Sequence, residues 1–368
     1  MSTFSDFGLI ASLQRTLNDK NLKKPTEVQE RIIPLMLANK SVVGIAETGS
    51  GKTLAYALPI LHTLKALEAQ GNPVTQEATP RAIIMVPTRE LGDQIAKVLK
   101  TFTHDTRLRV RSALGGVPLE QARRNVTGVF EILLATPGRI VQLMKQKLIH
   151  LDDVQILIYD EADQMMDENF KSDSNMIAEA CPDELLLGLF SATVNESVQE
   201  LMDNLFAKAN VIYTAGSGKT VKTLTTRNLT VKDGERWPVL ARVLDQPMEG
   251  GTIIFTNTRE QCDRLAKMLT ENGFHFGLYR GDMDKVERRR TFEKFRKGDL
   301  DLLISTDLAS RGLDVDNIDR VINYHLPQEV ENYIHRVGRT ARAGREGLVV
   351  NLVTERDEKI MAKVEKLK

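Results

Sequence analysis

The sequence predicts an α/β protein of two tandem domains, each built on a parallel sheet, joined by a flexible linker. Three observations predict it. Short apolar runs recur along the chain and each leads into a helical stretch, the βα alternation of a sheet buried on both faces. Polar residues gather where each run ends, at the edge where such sheets bind ligands. The alternation breaks from Ala209 to about Arg227 and then resumes. At 368 residues the chain has room for two domains of ordinary size. The expected partition is a first domain over 1–208, a linker over 209–226 and a second domain over 227–368.

The elements are taken in order. Phe4 to Leu22 reads as a short helical lead-in, with Leu9, Leu13 and Leu17 at helical spacing. Pro25-Thr26 starts a second helix in which Val28, Ile32 and Ile33 are apolar. Gln29 falls in its first turn, where a glutamine is ordinarily solvated. Ser41 to Ile45 reads as a buried strand and Leu54 to Leu58 as the start of a helix. Between them runs Ala46-Glu47-Thr48-Gly49-Ser50-Gly51-Lys52-Thr53, the strand, glycine turn and helix of a phosphate-binding loop. Gly49 and Gly51 let the backbone curl so that N–H groups around Thr48 and Ser50 point into one concavity. The following helix adds its positive end. Lys52 is placed for the β- and γ-phosphates and Thr53 for Mg²⁺. The loop departs from the usual pattern at Ala46, which stands in place of the first glycine.

Four further runs complete the first domain. Ala82–Val86 leads into Pro87-Thr88-Arg89-Glu90-Leu91, and Glu131–Ala135 leads into Thr136-Pro137-Gly138-Arg139. Gln155–Tyr159 leads into Asp160-Glu161-Ala162-Asp163, and Leu186–Phe190 leads into Ser191-Ala192-Thr193. Ala215 to Thr220 imitates a second phosphate loop, but no complete buried strand precedes it, so it reads as linker. The second alternation has runs at 251–255, 274–278, 301–305, 320–324 and 348–352, and polar followers such as Thr256 to Arg259 and Thr306-Asp307.

Composition bounds the partners. Lys+Arg and Asp+Glu are both 50, so a polyanion must be met by a local basic surface. Cys181 and Cys262 have neither zinc spacing nor disulfide density and suit a reducing compartment. No apolar run is long enough to span a bilayer, and the N-terminus lacks a signal pattern. The expectation is a cytoplasmic protein with no membrane association.

Asp160 closes an apolar strand and is placed to hold Mg²⁺ opposite Thr53, while Glu161 can orient or deprotonate a water. A plainer reading is a pair of helix-capping acids, worth about 1 kcal/mol. Asp160 to Asp163 spell DEAD, and together with the loop at Lys52 they favour the chemical reading. With these residues on the page, the chain resembles the DEAD-box RNA helicases over nearly its whole length. That resemblance implies two RecA-like domains, ATP and Mg²⁺ as cofactors, and RNA as partner.

The resemblance also assigns roles. Phe4 and Gln29 stand at the spacing of the family's adenine-reading motif, in which Gln29 reads the adenine edge; Asn21 and Leu22 depart from the Gly-aromatic pair usual there. Ser191 and Thr193 match the motif that couples nucleotide state to RNA. Arg89, Gly116 (in Gly115-Gly116), Thr136 and Arg139 match RNA contacts of the first domain. Arg259 and Thr306 match contacts of the second, and Gly312 and Asp314, in Arg311-Gly312-Leu313-Asp314, fall near the ribose. Lys285 and Arg288 stand where the family has Gln and Arg three apart, and Arg288 remains a phosphate contact. His335-Arg336-Val337-Gly338-Arg339-Thr340-Ala341-Arg342 matches the motif whose Arg339 and Arg342 are arginine fingers for the γ-phosphate. His335 and Arg336 belong to its coupling part, and Ala341 replaces a usual glycine. A helical turn would present Arg339 and Arg342 on one face. A basic helix face binding solvent is the plainer alternative.

Aromatic residues make up 5% of the chain, so the grip on a single strand or short duplex should fall on the sugar-phosphate backbone. The expected function is an ATP-dependent RNA helicase with RNA-stimulated hydrolysis and local duplex opening. Protein partners would supply specificity. An ATP-gated RNA clamp that does not unwind is the alternative, and a metabolic phosphate-loop kinase leaves the Arg336-Arg339-Arg342 pattern unexplained.

Overall fold

A computed structural model describes residues 2–47, 49–165, 168–214, 224–232, 234–307, 318–340 and 346–365. The chain divides into two compact units, Met1–Ser217 and Gly218–Lys368.

In the first unit, seven parallel strands lie in the order β3-β4-β2-β5-β6-β1-β7. They are β1 Val42–Ile45, β2 Ala82–Met85, β3 Val110–Ala113, β4 Ile132–Ala135, β5 Ile156–Asp160, β6 Leu186–Ser191 and β7 Asn210–Tyr213. Strands β1, β2, β4 and β5 are buried at every residue. Their side chains alternate between two cores: Val42, Ala82 and Ile84 on one face, Val43, Ile83 and Met85 on the other. That explains the continuous Val/Ile/Leu runs, since both faces need apolar cover. Helices α1 Ala11–Asp19, α2 Glu27–Leu37, α3 Lys52–Ala69 and α4 Arg89–Thr106 bury residues in the first of these cores. α5 Leu119–Asn125 and α6 Pro137–Lys145 follow β3 and β4, α7 Ala162–Met165 and α8 Glu168–Glu179 follow β5, and α9 Glu196–Asn204 follows β6.

The helical lead-in is two pieces: a 3₁₀ turn Phe4–Phe7, ended by Gly8 at φ +63°, and then α1. Ile10 N–H donates to His62 Nδ1 (3.2 Å), and Thr16 Oγ1 donates to Asp105 Oδ2 (2.8 Å), which fastens the segment to α3 and α4. The expected boundaries need correction. Asn210–Tyr213 pairs with β1 as the edge strand of the first sheet, and the strand Leu224–Thr230 opens the second unit, so less of 209–226 joins the units than expected. Residues 215–223, including the apparent second phosphate loop, lie outside the described residues.

The second unit holds six parallel strands in the order β10-β11-β9-β12-β13-β8. They are β8 Leu224–Thr230, β9 Gly251–Thr256, β10 Gly277–Tyr279, β11 Leu302–Thr306, β12 Ile318–Asn323 and β13 Gly347–Val353. Again the sides alternate: Ile253, Phe255 and Val321 face one core, Ile254 and Ile322 the other. α10 Trp237–Leu244, α11 Arg259–Glu271 and α12 Lys285–Lys297 lie between strands in the chain, and Val330–Val337 is a further helix between β12 and β13. The run expected as a strand over 274–278 is a strand only from Gly277; Phe274 and Phe276 pack against the core from the preceding loop.

Candidate functional site

The phosphate loop is built from its two flanks. β1 delivers buried Ala46 to the carboxyl edge of the sheet, and α3 starts at Lys52. Gly49 has φ +84° and Gly51 φ +94°, conformations that an L side chain rarely adopts. A Cβ on Gly51 would lie 2.4 Å from Gln29 Nε2, so glycine is also required by space. Gln29 is buried, not solvated. Its Oε1 accepts from Thr26 N–H (3.0 Å) in a capping box that starts α2, and its Nε2 donates to Gly51 O (3.0 Å). One side chain thus fixes a helix start and the tip of the loop.

Lys52 is 8% exposed and donates to Ala46 O (2.6 Å) and Glu47 O (2.9 Å), closing the loop on itself. Burial pulls its pKa down, and Asp160, Glu161, Asp163 and Glu47 oppose that shift. Burial raises the half-buried Glu47, against Lys52. Ser50 Oγ is buried with no hydrogen-bond partner among the described residues, a donor left for a ligand. Thr48 lies outside the described residues.

β5 brings Asp160 to the same edge. Its Oδ2 accepts from Tyr56 O–H (2.8 Å) and its Oδ1 from Glu161 N–H (3.0 Å). Burial first, and Glu161 second, push its carboxyl up to about 6, against Lys52 and Tyr56. Glu161 takes φ +55°, a strained value for a side-chain-bearing residue, and Gln164 Nε2 donates to its Oε2 (2.5 Å). Strain and burial of two adjacent acids suit a reacting site better than a helix cap.

Asp163 reaches β6. Its Oδ2 accepts from Thr193 N–H (3.1 Å) and Thr193 O–H (2.8 Å), and its own N–H donates to Ser191 Oγ (3.3 Å). Ser191 O–H donates to Thr193 O (2.7 Å). Neither residue is the cap of the helix that follows in the chain: the cap of α9 Glu196–Asn204 is Asn195, whose Oδ1 accepts from Val198 N–H (2.9 Å). They latch the acid strand to its neighbour instead.

The remaining first-unit residues leave other strands. Arg89 opens α4 after β2, 3.5 Å from Asp93, and Gly116 (φ +76°) follows β3. Thr136 is the N-cap residue of α6 after β4, and Arg139 on α6 donates to Val117 O, tying that helix to the Gly115-Gly116 loop. Strand order therefore divides the carboxyl edge: β3-β4-β2 carries Gly116, Thr136, Arg139 and Arg89, and β5-β6-β1 carries the acids, the latch and the phosphate loop. Phe4, expected at the nucleotide, lies in the 3₁₀ turn that opens the chain. It is 4% exposed, edge-on to Phe7 at 5.9 Å between ring centres, and packs in the core.

In the second unit, Arg336 is 1% exposed and all five of its N–H groups are engaged. It makes a double ion pair with Asp307, donates to Asn323 Oδ1 (3.1 Å) and His325 O (2.6 Å), and donates to Asn257 Oδ1 (2.8 Å). Its guanidinium lies 5.1 Å from the Phe255 ring centre. Arg336 is therefore a tie among the ends of β9, β11 and β12. A polar line continues in register across the sheet: Asn323 to Asn351 (2.8 Å), and Asn351 to Asn228 (2.8 Å). His335 is buried beside it. The helix ends at Val337, so Arg339 sits in the turn beyond it. Arg339 is 3% exposed and its Nε donates to His335 O (3.1 Å). Gly312, Asp314 and Arg342 lie outside the described residues. Arg259 opens α11, Thr306 closes β11, and the Arg288 guanidinium stands 5.8 Å over the Tyr279 ring centre.

Tyr56, Gln164 and Asn323 carry no motif signal of their own in the sequence. Tyr56 stands one helical turn after Lys52, and that spacing is a usable signal. Asn323 was visible as a polar residue inside an apolar run.

Comparisons with known proteins agree with this arrangement. The family model for DEAD/DEAH box helicases matches residues 26–201, and that for the helicase conserved C-terminal domain matches 235–344. The DEAD-box ATP-dependent RNA helicase RhpA of Helicobacter pylori (strain B128) is 34% identical over 364 residues, covering 99% of this chain and 72% of that protein. The ATP-dependent RNA helicase RhlB of Shewanella piezotolerans is 36% identical over 355 residues, covering 96% and 80%. Among solved structures, S. cerevisiae Dbp5 bound to RNA and ADP BeF3 is similar with a TM-score of 0.88 at 27% identity, covering 100% of this chain and 93% of that one.

Proposed function

The chain belongs to the DEAD-box family of ATP-dependent RNA helicases, and we propose that it hydrolyses ATP at the Lys52–Asp160–Glu161 edge to open short RNA duplexes. The observation that carries this reading is the convergence of the glycine loop, the buried acid pair and the Asp163–Thr193 latch on adjacent strands of one sheet. Phosphate oxygens would replace the loop carbonyls at Lys52 and accept from Ser50. Gln29, already holding Gly51, would set the loop beside the adenine.

The donor set fits Mg²⁺ as a largely hydrated ion. Among the described residues no group of three or more His, Cys, Asp or Glu is placed to hold a metal. Asp160 and Thr53 would instead be its few protein contacts, through water in part. When bound, Mg²⁺ supplies positive charge to the phosphate oxygens. Glu161 takes a proton from the attacking water, the water oxygen bonds to the γ-phosphorus, and the bond to the bridging oxygen breaks to release ADP. Arg339 and Arg342 would supply positive charge to the transition state, and Arg339 must leave its bond to His335 to do so. RNA backbone would be held by Arg89, Gly116, Thr136 and Arg139 in the first unit and by Arg259, Arg288 and Thr306 in the second. The latch of Asp163 on Ser191 and Thr193 would report nucleotide state to that half of the edge.

The test is ATP turnover by the purified chain with total RNA, with DNA and with no nucleic acid, alongside displacement of a short RNA strand. RNA should raise turnover and DNA should not, and displacement should need ATP. Turnover indifferent to RNA would overturn the reading; displacement absent despite RNA-stimulated turnover would leave a clamp.

A further inference from the structure

A cavity of about 530 Å³ opens at the carboxyl edge of the second sheet, where β8, β9, β12 and β13 end. Arg236, Gln261, His325, Leu326 and Arg356 line it. Its size is that of a small-molecule site. Two of its polar atoms, Arg236 Nε and His325 Nδ1, are buried and have no hydrogen-bond partner among the described residues. Buried polar atoms of native proteins are nearly always satisfied, so a pair left over in one cavity points to a ligand. The two side chains are close enough for the charge of Arg236 to act on the imidazole.

We propose that this cavity binds a small sugar phosphate, with the phosphate at Arg236 and His325. A guanidinium and an imidazole N–H match a phosphate monoester, which offers several acceptors and two negative charges. Arg356 adds a second guanidinium to the wall. Glu355 and Asp357 line it as well, so the cavity is not uniformly basic. Asp357 Oδ2 already accepts from Thr354 N–H (2.8 Å) and O–H (2.6 Å), which holds this turn in place. Carboxylates accept from hydroxyl groups, so the mixed wall suits a molecule with one anionic end and one hydroxyl-rich end. A bare anion would leave the acids and most of the volume unused. The site is separate from Lys52, which belongs to the other unit.

His325 supplies the readout. Burial, and then Arg236 and Arg336, hold its pKa down at about 4, while Asp357 pulls the other way. Placing a phosphate against Nδ1 adds negative charge and should raise the midpoint. The experiment follows the imidazole resonances of the full chain, with His325→Gln assigning one signal among six histidines, during titration with ribose 5-phosphate, inorganic phosphate or ribose. Ribose 5-phosphate should shift the His325 signal saturably and move its midpoint upward. Arg236→Gln should weaken this at least about tenfold and Arg356→Gln severalfold, whereas Lys52→Ala should leave it unchanged. Arg356 lies on an exposed turn, so its variant keeps the test available should Arg236→Gln fail to fold. No saturable shift at millimolar ribose 5-phosphate overturns the proposal. So does binding that survives both arginine variants, or inorganic phosphate binding as tightly as the sugar phosphate.

Discussion

Burial and the neighbouring Glu161 push the Asp160 carboxyl up to about 6, from an ordinary value near 3.8, even though Lys52 and the Tyr56 hydroxyl pull it down. The sign of the consequence follows from which state binds the proton more tightly. The folded value lies above the unfolded one, so the native state gains protons relative to the unfolded chain between about 4 and 6. Stability from this group is fully present below about 4 and is lost as pH rises through about 6. Asp160→Asn cannot ionise and escapes that loss. Urea unfolding of the first unit should therefore show the wild type losing on the order of 2–3 kcal/mol relative to Asp160→Asn between pH 4 and pH 7. A difference that does not change with pH would mean that the carboxylate is not held at a cost. The meeting of Lys52 and Asp160 at one sheet edge was legible in the sequence because a glycine turn and an acid pair at strand ends are local patterns. Tyr56 was not, because a tyrosine in an apolar helix reads as packing until its hydroxyl is seen on Asp160. Arg336 was legible as important, but not as a tie with every donor spent, because its partners come from three strand ends far apart in sequence.

At the scale of elements, the start of α2 and the phosphate loop are one unit through Gln29. Its acceptor caps the helix and its donor holds Gly51, so the two roles can be separated by chemistry. Gln29→Glu keeps an acceptor for Thr26 but sets a carboxylate against the Gly51 carbonyl. The cap, worth about 1 kcal/mol, should survive, while the loop loses its tether. Affinity for a non-hydrolysable ATP analogue should fall about tenfold or more with little change in the urea midpoint. An affinity equal to wild type would mean that the loop holds its shape without Gln29. The central strands were legible because burial on both faces demands unbroken apolar runs. β3 and β7 were not, because an edge strand is covered on one side only: Arg111 lies within β3, and Asn210, Val211 and Tyr213 are exposed on β7. Missing β7 is what displaced the expected domain boundary to 208.

At the scale of the molecule, both units place their chemistry at the carboxyl edges of parallel sheets, and both divide that edge by strand order. In the first, β3-β4-β2 carries the residues assigned to RNA and β5-β6-β1 those assigned to ATP. In the second, β10-β11-β9 leads to Arg288, Thr306 and Arg259, while the helix after β12 leads to Arg339. The central claim is that turnover needs groups from both units, and one residue tests it most directly. On the proposed reading Lys52, Thr53 and the loop would hold ATP in the ground state, so Arg339→Ala should leave ATP affinity nearly intact. Its contribution should appear in the transition state, where arginine fingers are worth about 10³–10⁵ in rate, roughly 4–7 kcal/mol. Arg339→Lys should rescue little, because a point charge cannot reproduce the planar fork. The measurement is RNA-stimulated ATP turnover of Arg339→Ala at saturating RNA, with ATP affinity measured on the same preparation. Loss of about 10³-fold or more in turnover with affinity retained is the predicted result; turnover equal to wild type would contradict the account.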